Sequence, residues 1–222
     1  MEKSEFWLLD VVVRMWYPLY LLMDEEVALV FNRPGHGLSH DQLVDTLHRL
    51  FQRGDLIAAD TVEREPSHEF VPAREQIEAA LVDEMRVYYG LTVQGGARWE
   101  NYAKPNWRWY VNASYGTDEN GKRIAEIEGS NCQRVQEYLS LHYEHYVMPD
   151  TTVHQESEEW EELVPWHIYY WRTLPKGYQV RFALDRGQDA AAVQRQYLQE
   201  QPSWVAEWLH NRQNWYTRYP GT

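Results

Sequence analysis

Apolar residues near the start of the chain recur at alternating spacings of three and four. This spacing lays one apolar stripe along a helix, and apolar residues beside the stripe predict a helix that is covered on most sides. Pro18 lacks a backbone N–H, so we expect it to kink this helix or to mark the start of a second turn. The stripe consists of Phe6, Leu9, Val13, Trp16, Tyr20 and Met23.

A second helix is predicted between Ser39 and Gly54. Ser39 and Gln42 form a capping box, in which the side chain of each residue accepts a hydrogen bond from the backbone N–H of the other. Leucines and Phe51 follow at helical spacing, and Gly54 is a typical helix stop. The apolar run at Leu56–Ala59 predicts a short strand directly after this helix.

A strand and a further helix are predicted from residue 88 onwards. The aromatic run Tyr88–Thr92 is typical of a strand, and Thr92 can cap the helix that begins after it. Gly95-Gly96 at the helix start allows either a close approach to the strand or anion binding through free backbone N–H groups. Neither GxGxxG nor a Walker sequence accompanies the two glycines, so close packing is the favoured interpretation. Another helix is predicted over Arg74–Val82.

Residues 43–60, with the sequence LVDTLHRLFQRGDLIAAD, resemble the recognition helix and first wing strand of winged helix regulators. Tyr88–Thr92 is similar to the returning wing strand, and the whole resemblance covers residues 5–103. The family usually has a tight hairpin between these strands, whereas here a long insertion with its own helix separates them. The resemblance implies a transcriptional regulator whose recognition helix enters the major groove of DNA. The exposed side chains facing DNA would be His40, Gln42, Thr46 and Arg49, with Arg53 on a phosphate.

The later part of the chain predicts both strands and helices. The predicted fold class is therefore α+β, with a winged-helix-like domain at 1–110 and an α+β domain at 111–222 that contains an antiparallel hairpin. The predicted elements of this second domain, besides the hairpin, are a turn at Asp118–Lys122, a strand at Arg123–Glu128 and helices at Asn131–Tyr146, Asp189–Gln199 and Ser203–Tyr216.

The hairpin is predicted from two alternating segments on either side of a turn sequence. Trp166–Thr173 and Tyr178–Leu184 flank Leu174–Gly177, where a proline fixes one φ and a glycine tolerates a positive φ. We expect the two segments to pair with each other. The residues expected to face a core are Tyr178, Val180 and Phe182, and Gln179 is expected to be exposed.

The charge of the chain weighs against DNA as a partner. The formal net charge is −13, and both halves of the chain are net acidic. An acidic field opposes approach to DNA, and the sequence contains no run of basic residues that would neutralise phosphates. We therefore expect a protein partner, with a basic protein as the candidate, and do not expect DNA.

Secretion and membrane insertion are not expected from the sequence. The first residues lack the basic region of a signal peptide, and the apolar segment Trp7–Met23 contains Asp10, Arg14 and Pro18. The single cysteine, Cys132, excludes an internal disulfide. These features predict a cytoplasmic protein without a membrane span.

Candidate catalytic and metal-binding residues are few. His142, His145 and His154 are the nearest approach to a set of metal ligands, but no HExxH motif or carboxylate set completes it. Cys132 at a helix start lacks the sequence context of a known nucleophile. We therefore expect no cofactor and favour a protein that is not an enzyme. An enzyme or small-ligand binder of unknown type remains an alternative interpretation.

A glutamate-rich segment around Trp160 is the leading candidate for partner binding. Aromatic anchors and complementary charge are the features that give protein interfaces their affinity and steering. The leading hypothesis is a non-enzymatic interaction module, regulatory or immunity-like, that sequesters a basic protein. A run of five glutamates in seven residues is nevertheless usually a solvated segment without a partner. The candidate residues are Glu156, Glu158, Glu159, Trp160, Glu161 and Glu162.

Overall fold

A computed structural model gives the fold and describes residues 1–23, 35–62, 66–144, 147, 151–186 and 202–216. Helices and antiparallel sheets are both present, so the chain is α+β, as the sequence predicts. The chain divides into two compact units. The first unit comprises 1–104, 167–173 and 218–222, and the second comprises 105–166 and 174–217. Over the described ranges, none of the helices has the length and apolar character that crossing a bilayer requires.

The first unit contains a four-stranded antiparallel sheet with strand order β1–β4–β2–β3, and its described residues also form four α-helices. Its core is formed by leucines of α1 and α2 together with Tyr89, Ile77 and Trp99, all of them buried. The elements in chain order are α1 (Lys3–Val11), β1 (Tyr17–Pro18), a 3₁₀ helix (Leu19–Met23), α2 (His40–Gln52), β2 (Leu56–Val62), β3 (Pro66–Phe70), α3 (Arg74–Leu81), β4 (Tyr88–Leu91) and α4 (Val93–Ala103).

The prediction of one helix over the first apolar stripe is wrong, because α1 ends at Val11. The carbonyl oxygens of Val12 and Val13 accept hydrogen bonds from the Tyr170 hydroxyl and the Trp171 indole, at 2.6 and 2.8 Å. Pro18 then lies in edge strand β1, where its missing N–H costs no sheet hydrogen bond.

The local signals around the second helix are confirmed. Ser39 and Gln42 form the predicted capping box, and Gly54 follows α2 with a φ of 72°. β2 pairs antiparallel with β4, with Leu56 opposite Leu91. The insertion between these strands contains the predicted helix α3 and also strand β3, which the sequence did not predict.

The second unit has a four-stranded antiparallel sheet with strand order β5–β6–β10–β7. Helices α5 and α6 cover one face of this sheet, and the side chains of Val180 and Phe182 are buried in the resulting core. Its elements in chain order are a 3₁₀ helix (Trp107–Trp109), β5 (Val111–Thr117), β6 (Arg123–Gly129), α5 (Cys132–Tyr143), β7 (Thr151–Leu163), β10 (Gly177–Arg186) and α6 (Ser203–Gln213). Between β7 and β10 the chain forms β8 (Trp166–Tyr169) and β9 (Arg172–Leu174), most of whose residues belong to the first unit.

The pairing predicted for the hairpin at 166–184 is wrong. Residues 166–174 form a two-stranded sheet of their own from β8 and β9, and β10 pairs with β6 and β7 instead. Val180 and Phe182 are buried as predicted, whereas Gln179 is half-buried and donates to Glu128. A different antiparallel hairpin joins β5 to β6 through the predicted turn at Asp118. The predicted helix Asp189–Gln199 lies outside the described residues.

Candidate functional site

The glutamate-rich segment is strand β7, at one edge of the second sheet. β7 is paired with β10 and, within the described ranges, with no other strand. The sequence did not predict this strand, because glutamate is depleted in strands and conceals the alternation of the other residues. The segment is therefore an ordered edge strand that carries carboxylates along most of its length.

The alternation of β7 divides the predicted partner-binding residues between two faces. Trp160 lies opposite Val180, so Trp160 points to the side of the sheet that the helices cover. Glu159 and Glu161 lie opposite Arg181 and Gln179 and point to the other side. Strand periodicity places Glu158 and Glu162 on the same side as Trp160.

Further carboxylates from the neighbouring strands share the face with Glu159 and Glu161. Glu126 of β6 lies opposite Arg181, and its Oε1 is 3.8 Å from the guanidinium Nε. Glu126 and Glu128 were not predicted as site residues from the sequence, although the alternation within Arg123–Glu128 gives a local signal. We name this surface the acidic sheet face. Its carboxylates are those of Glu126, Glu128, Glu159, Glu161 and Asp185.

Glu128 is a half-buried carboxylate of the acidic sheet face. Burial raises the pKa of Glu128, and the nearby charge of Glu126 raises it further. The Trp166 indole N–H and the Gln179 amide donate to its two oxygens, at 3.3 and 3.1 Å, and act in the opposite direction. A positive charge docked on this face would relieve the repulsion between these carboxylates.

Several side chains of β7 make hydrogen bonds to other side chains or to the backbone of β10. The Trp160 indole N–H donates to Glu158 at 3.0 Å, and the Trp160 side chain remains 42% exposed. Glu162 accepts from the Lys176 ammonium at 2.5 Å. The pairing with β10 shifts register near Ser157, whose hydroxyl accepts from the Ala183 backbone N–H at 2.8 Å. Trp160 is thus an ordered aromatic side chain that is still accessible to a partner.

His154 connects β7 with the end of β10. Its Nε2 lies 2.5 Å from an Asp185 oxygen, and its Nδ1 lies 3.0 Å from an oxygen of Glu156. Hydrogen bonding to Asp185, and then to Glu156, raises the pKa of His154. The stabilisation from this group is therefore present below the unfolded pKa of histidine and is lost as the pH rises through the folded value.

The three histidines considered as metal ligands are not brought together in the described structure. His142 is buried against Phe182 and Tyr138, His154 is in the exposed contact with Asp185, and His145 lies outside the described residues. Among the described residues, no three His, Cys, Asp or Glu side chains are placed so that they could hold one metal ion. Cys132, at the start of α5, is half-buried.

We expect replacement of His142 with glutamine to make the free energy of unfolding depend less steeply on pH between pH 6.5 and 4. Burial, with a smaller contribution from Arg212, lowers the pKa of His142 from 6.5 to about 4. Because the unfolded chain takes up this proton first, stability falls as the pH drops from 6.5 towards 4, by up to about 1.4 kcal/mol per pH unit. Urea unfolding across this pH range measures the slope. The control His154→Gln should change the pH dependence above the unfolded pKa of histidine instead, because the pKa of His154 is raised. An unchanged slope between pH 6.5 and 4 in His142→Gln would show that His142 does not cause the loss of stability at acid pH.

The residues predicted to face DNA have mixed environments. Gln42 is exposed, His40 is half-buried, and the prediction that Thr46 is exposed is wrong, because it is 5% exposed and packs in the core. The guanidinium groups of Arg49 and Arg53 both donate to Glu5 at 3.3 Å. Thr46 faces inwards because it occupies the helical position next to Leu47 and one turn from Leu43 and Leu50, all three buried.

Comparisons with protein-family models, with curated proteins and with solved structures found no match to this chain.

Proposed function

We propose that this protein is a non-enzymatic interaction module that sequesters a basic protein, in a regulatory or immunity-like role. The proposed contact is an extended basic segment of the partner, laid along strand β7. The observation that carries the proposal is the combination of a sheet edge that pairs with β10 alone among the described strands, carboxylates on both of its sides and the half-exposed indole of Trp160. Each of these features supplies a different part of the recognition.

The edge of β7 supports recognition through the backbone. An unpaired sheet edge presents N–H and C=O groups that an extended segment of another protein can pair with. Such pairing gives affinity with little dependence on sequence, and side-chain contacts then give specificity. Because side chains alternate, a partner strand directs its residues to both faces of the sheet.

The carboxylates of β7 define the charge of the partner. Lysine or arginine side chains on one face of the partner segment would meet Glu159 and Glu161, and those on the other face would meet Glu158 and Glu162. Trp160, between Glu159 and Glu161 in sequence, offers a ring for an apolar or cationic side chain. The net charge of −13 favours rapid encounter with a positively charged protein.

The same charges disfavour pairing between two copies of this chain. Two β7 edges brought together would place glutamates near glutamates, and like charges opposite each other destabilise strand pairs. A basic segment removes this repulsion. The edge is thus suited to a complementary partner and protected against self-association.

DNA recognition by α2 is less well supported as a second function. The support for it is that β2 and β4, the two strands that resemble the wing strands of the family, pair antiparallel with each other. The guanidinium groups of Arg49 and Arg53, which would approach DNA, already donate to Glu5 and, for Arg53, also to Asp55 at 2.7 Å. A phosphate would have to compete with these carboxylates.

Charge reversal on β7 tests the proposal. We expect Glu159→Lys combined with Glu161→Lys to abolish capture of the native partner from an extract of the source cells, because both substitutions repel a basic segment. Quantitative mass spectrometry of the captured proteins, at low and at moderate salt, measures the effect. Binding to the wild-type protein should weaken as salt rises, since surface charges are screened.

The matched control combines Glu69→Lys with Glu84→Lys. Both residues are exposed in the first unit, and this pair changes the net charge by the same amount. We expect the control to capture the partner as the wild-type protein does. Equal capture by all three proteins, or equal loss in both double variants, would show that β7 is not the docking strand.

A further inference from the structure

A cavity of about 440 Å³ lies in the second unit, between α5, α6 and the 3₁₀ helix. Its volume is within the range typical of small-molecule sites, which combine apolar walls with a few polar groups. The walls include three tryptophans and three charged residues. These residues are Trp109, Trp204, Trp208, Arg134, Glu137 and Glu207.

The guanidinium group of Arg134 is clamped between two indole rings. Its Cζ lies 4.6 Å from the ring centre of Trp109 and 4.2 Å from that of Trp208. Arg134 Nη1 donates to Glu137 at 2.9 Å, and the Trp208 indole N–H donates to the same oxygen at 2.9 Å. These contacts fix both the plane and the position of the positive charge.

Within the described part of the chain, the other edge of the Arg134 guanidinium has no hydrogen-bond acceptor. Nε and Nη2 of Arg134 have no hydrogen-bond partner among the described residues, although the side chain is only 11% exposed. These two nitrogens form the lateral fork that binds both oxygens of a carboxylate through parallel hydrogen bonds. Burial also lowers the pKa of Arg134, an effect that Glu137 opposes. A carboxylate on the fork would satisfy both donors.

The charged side chains around the cavity indicate which net charge a carboxylate ligand should have. Arg134 supplies one positive charge, whereas Glu137 and Glu207 supply two negative charges, so a simple anion would meet net repulsion. A ligand that also carries a positive charge avoids this repulsion. Trp109 and Trp204 are partly exposed and offer apolar surface to the rest of the ligand.

We propose that this cavity binds a free α-amino acid with an apolar or aromatic side chain. The carboxylate pairs with the Arg134 fork, the ammonium group faces Glu207, and the side chain packs on Trp109 and Trp204. This site uses none of the residues of β7, so it stands independently of the function proposed above.

Three related probes separate the two charged contacts. L-phenylalanine carries both charged groups, 3-phenylpropanoate lacks the ammonium group, and phenethylamine lacks the carboxylate. Isothermal titration calorimetry and tryptophan fluorescence measure binding to the full chain. We expect L-phenylalanine to bind more tightly than either of the other two probes, because it alone satisfies both sides of the cavity.

Two variants assign the contacts to residues. Arg134→Lys keeps the charge but removes the fork, so we expect it to raise the Kd of L-phenylalanine about tenfold or more and to leave phenethylamine unchanged. Glu207→Gln should weaken L-phenylalanine and phenethylamine, but not 3-phenylpropanoate. Glu207 is exposed, so this variant keeps the fold, and Glu119→Gln in the exposed β5–β6 turn is its matched control. Absence of L-phenylalanine binding at millimolar concentration, or a Kd that neither variant changes, would overturn the proposal.

Discussion

Replacing Arg98 with methionine is expected to lower the free energy of unfolding by about 3–5 kcal/mol at neutral pH. Arg98 donates to Asp55 at 2.9 Å and to Glu5 at 3.3 Å. The side chains of Asp55 and Glu5 are only 1% and 6% exposed. The substitution therefore leaves two buried carboxylates with fewer positive partners, which is costlier than losing an ion pair at the surface.

The acid dependence of unfolding gives a second readout for Arg98→Met. Burial raises the pKa of Glu5, but Arg53, Arg98 and Arg49 together hold it below its usual value. The stabilisation from Glu5 is thus complete above its unfolded pKa and is lost as the pH falls through the lower folded value. Removal of Arg98 raises the folded pKa, so acid unfolding should begin at higher pH. Urea unfolding followed by tryptophan fluorescence measures both effects.

The control for this prediction is Arg74→Met. Arg74 pairs with Asp45 and Glu78, and all three side chains are well exposed. We expect a loss of about 1 kcal/mol or less, because solvent screens exposed pairs. A loss in Arg98→Met no greater than that in Arg74→Met would show that the buried carboxylates do not depend on Arg98.

Gly95→Ala is expected to destabilise the first unit by about 3 kcal/mol or more. A Cβ atom at Gly95 would lie 1.8 Å from the carbonyl oxygen of Asp55, which is backbone and cannot rotate away. The start of α4 would have to move off the start of β2, and the Thr92 hydroxyl that caps α4 also donates to the Gly54 carbonyl at 2.6 Å. Chemical unfolding with circular dichroism measures the loss.

Gly116→Ala is the matched control for Gly95→Ala. No heavy atom lies within 4 Å of the Cβ position at Gly116, in strand β5. We therefore expect its stability to stay within about 0.5 kcal/mol of the wild-type value. Similar stability of the two alanine variants would contradict the close packing of α4 against β2.

Local sequence signals predicted the elements whose ends depend on neighbouring residues. The capping box of α2, the stop at Gly54 and the cap at Thr92 all act within a few residues, and the structure has each of them. Alternation in Tyr178–Leu184 likewise predicted the buried side chains of Val180 and Phe182. It did not predict the partner strands, because alternation shows which face of a strand is buried and not which strands pair with it.

The candidate sites depend on contacts between residues that are distant in sequence. Glu126 and Glu159 join one acidic face only through the register of β6, β10 and β7. The fork of Arg134 becomes visible only when Trp109 and Trp208 are placed on either side of it. Strand β7 itself was not predicted because its glutamates have low strand propensity. Pairing with β10 outweighs that propensity in the folded chain.

Amide hydrogen exchange of β7, with and without the captured partner, tests the docking proposal most directly. Addition of an extended segment gives new hydrogen bonds to backbone groups on the free edge of β7, so the exchange of its outward amides should slow. β5 is the opposite edge of the same sheet and serves as an internal control whose exchange should not change. Slower exchange along Thr151–Leu163 is the result we predict. Unchanged exchange in β7, with protection elsewhere in the chain, would contradict recognition through this strand.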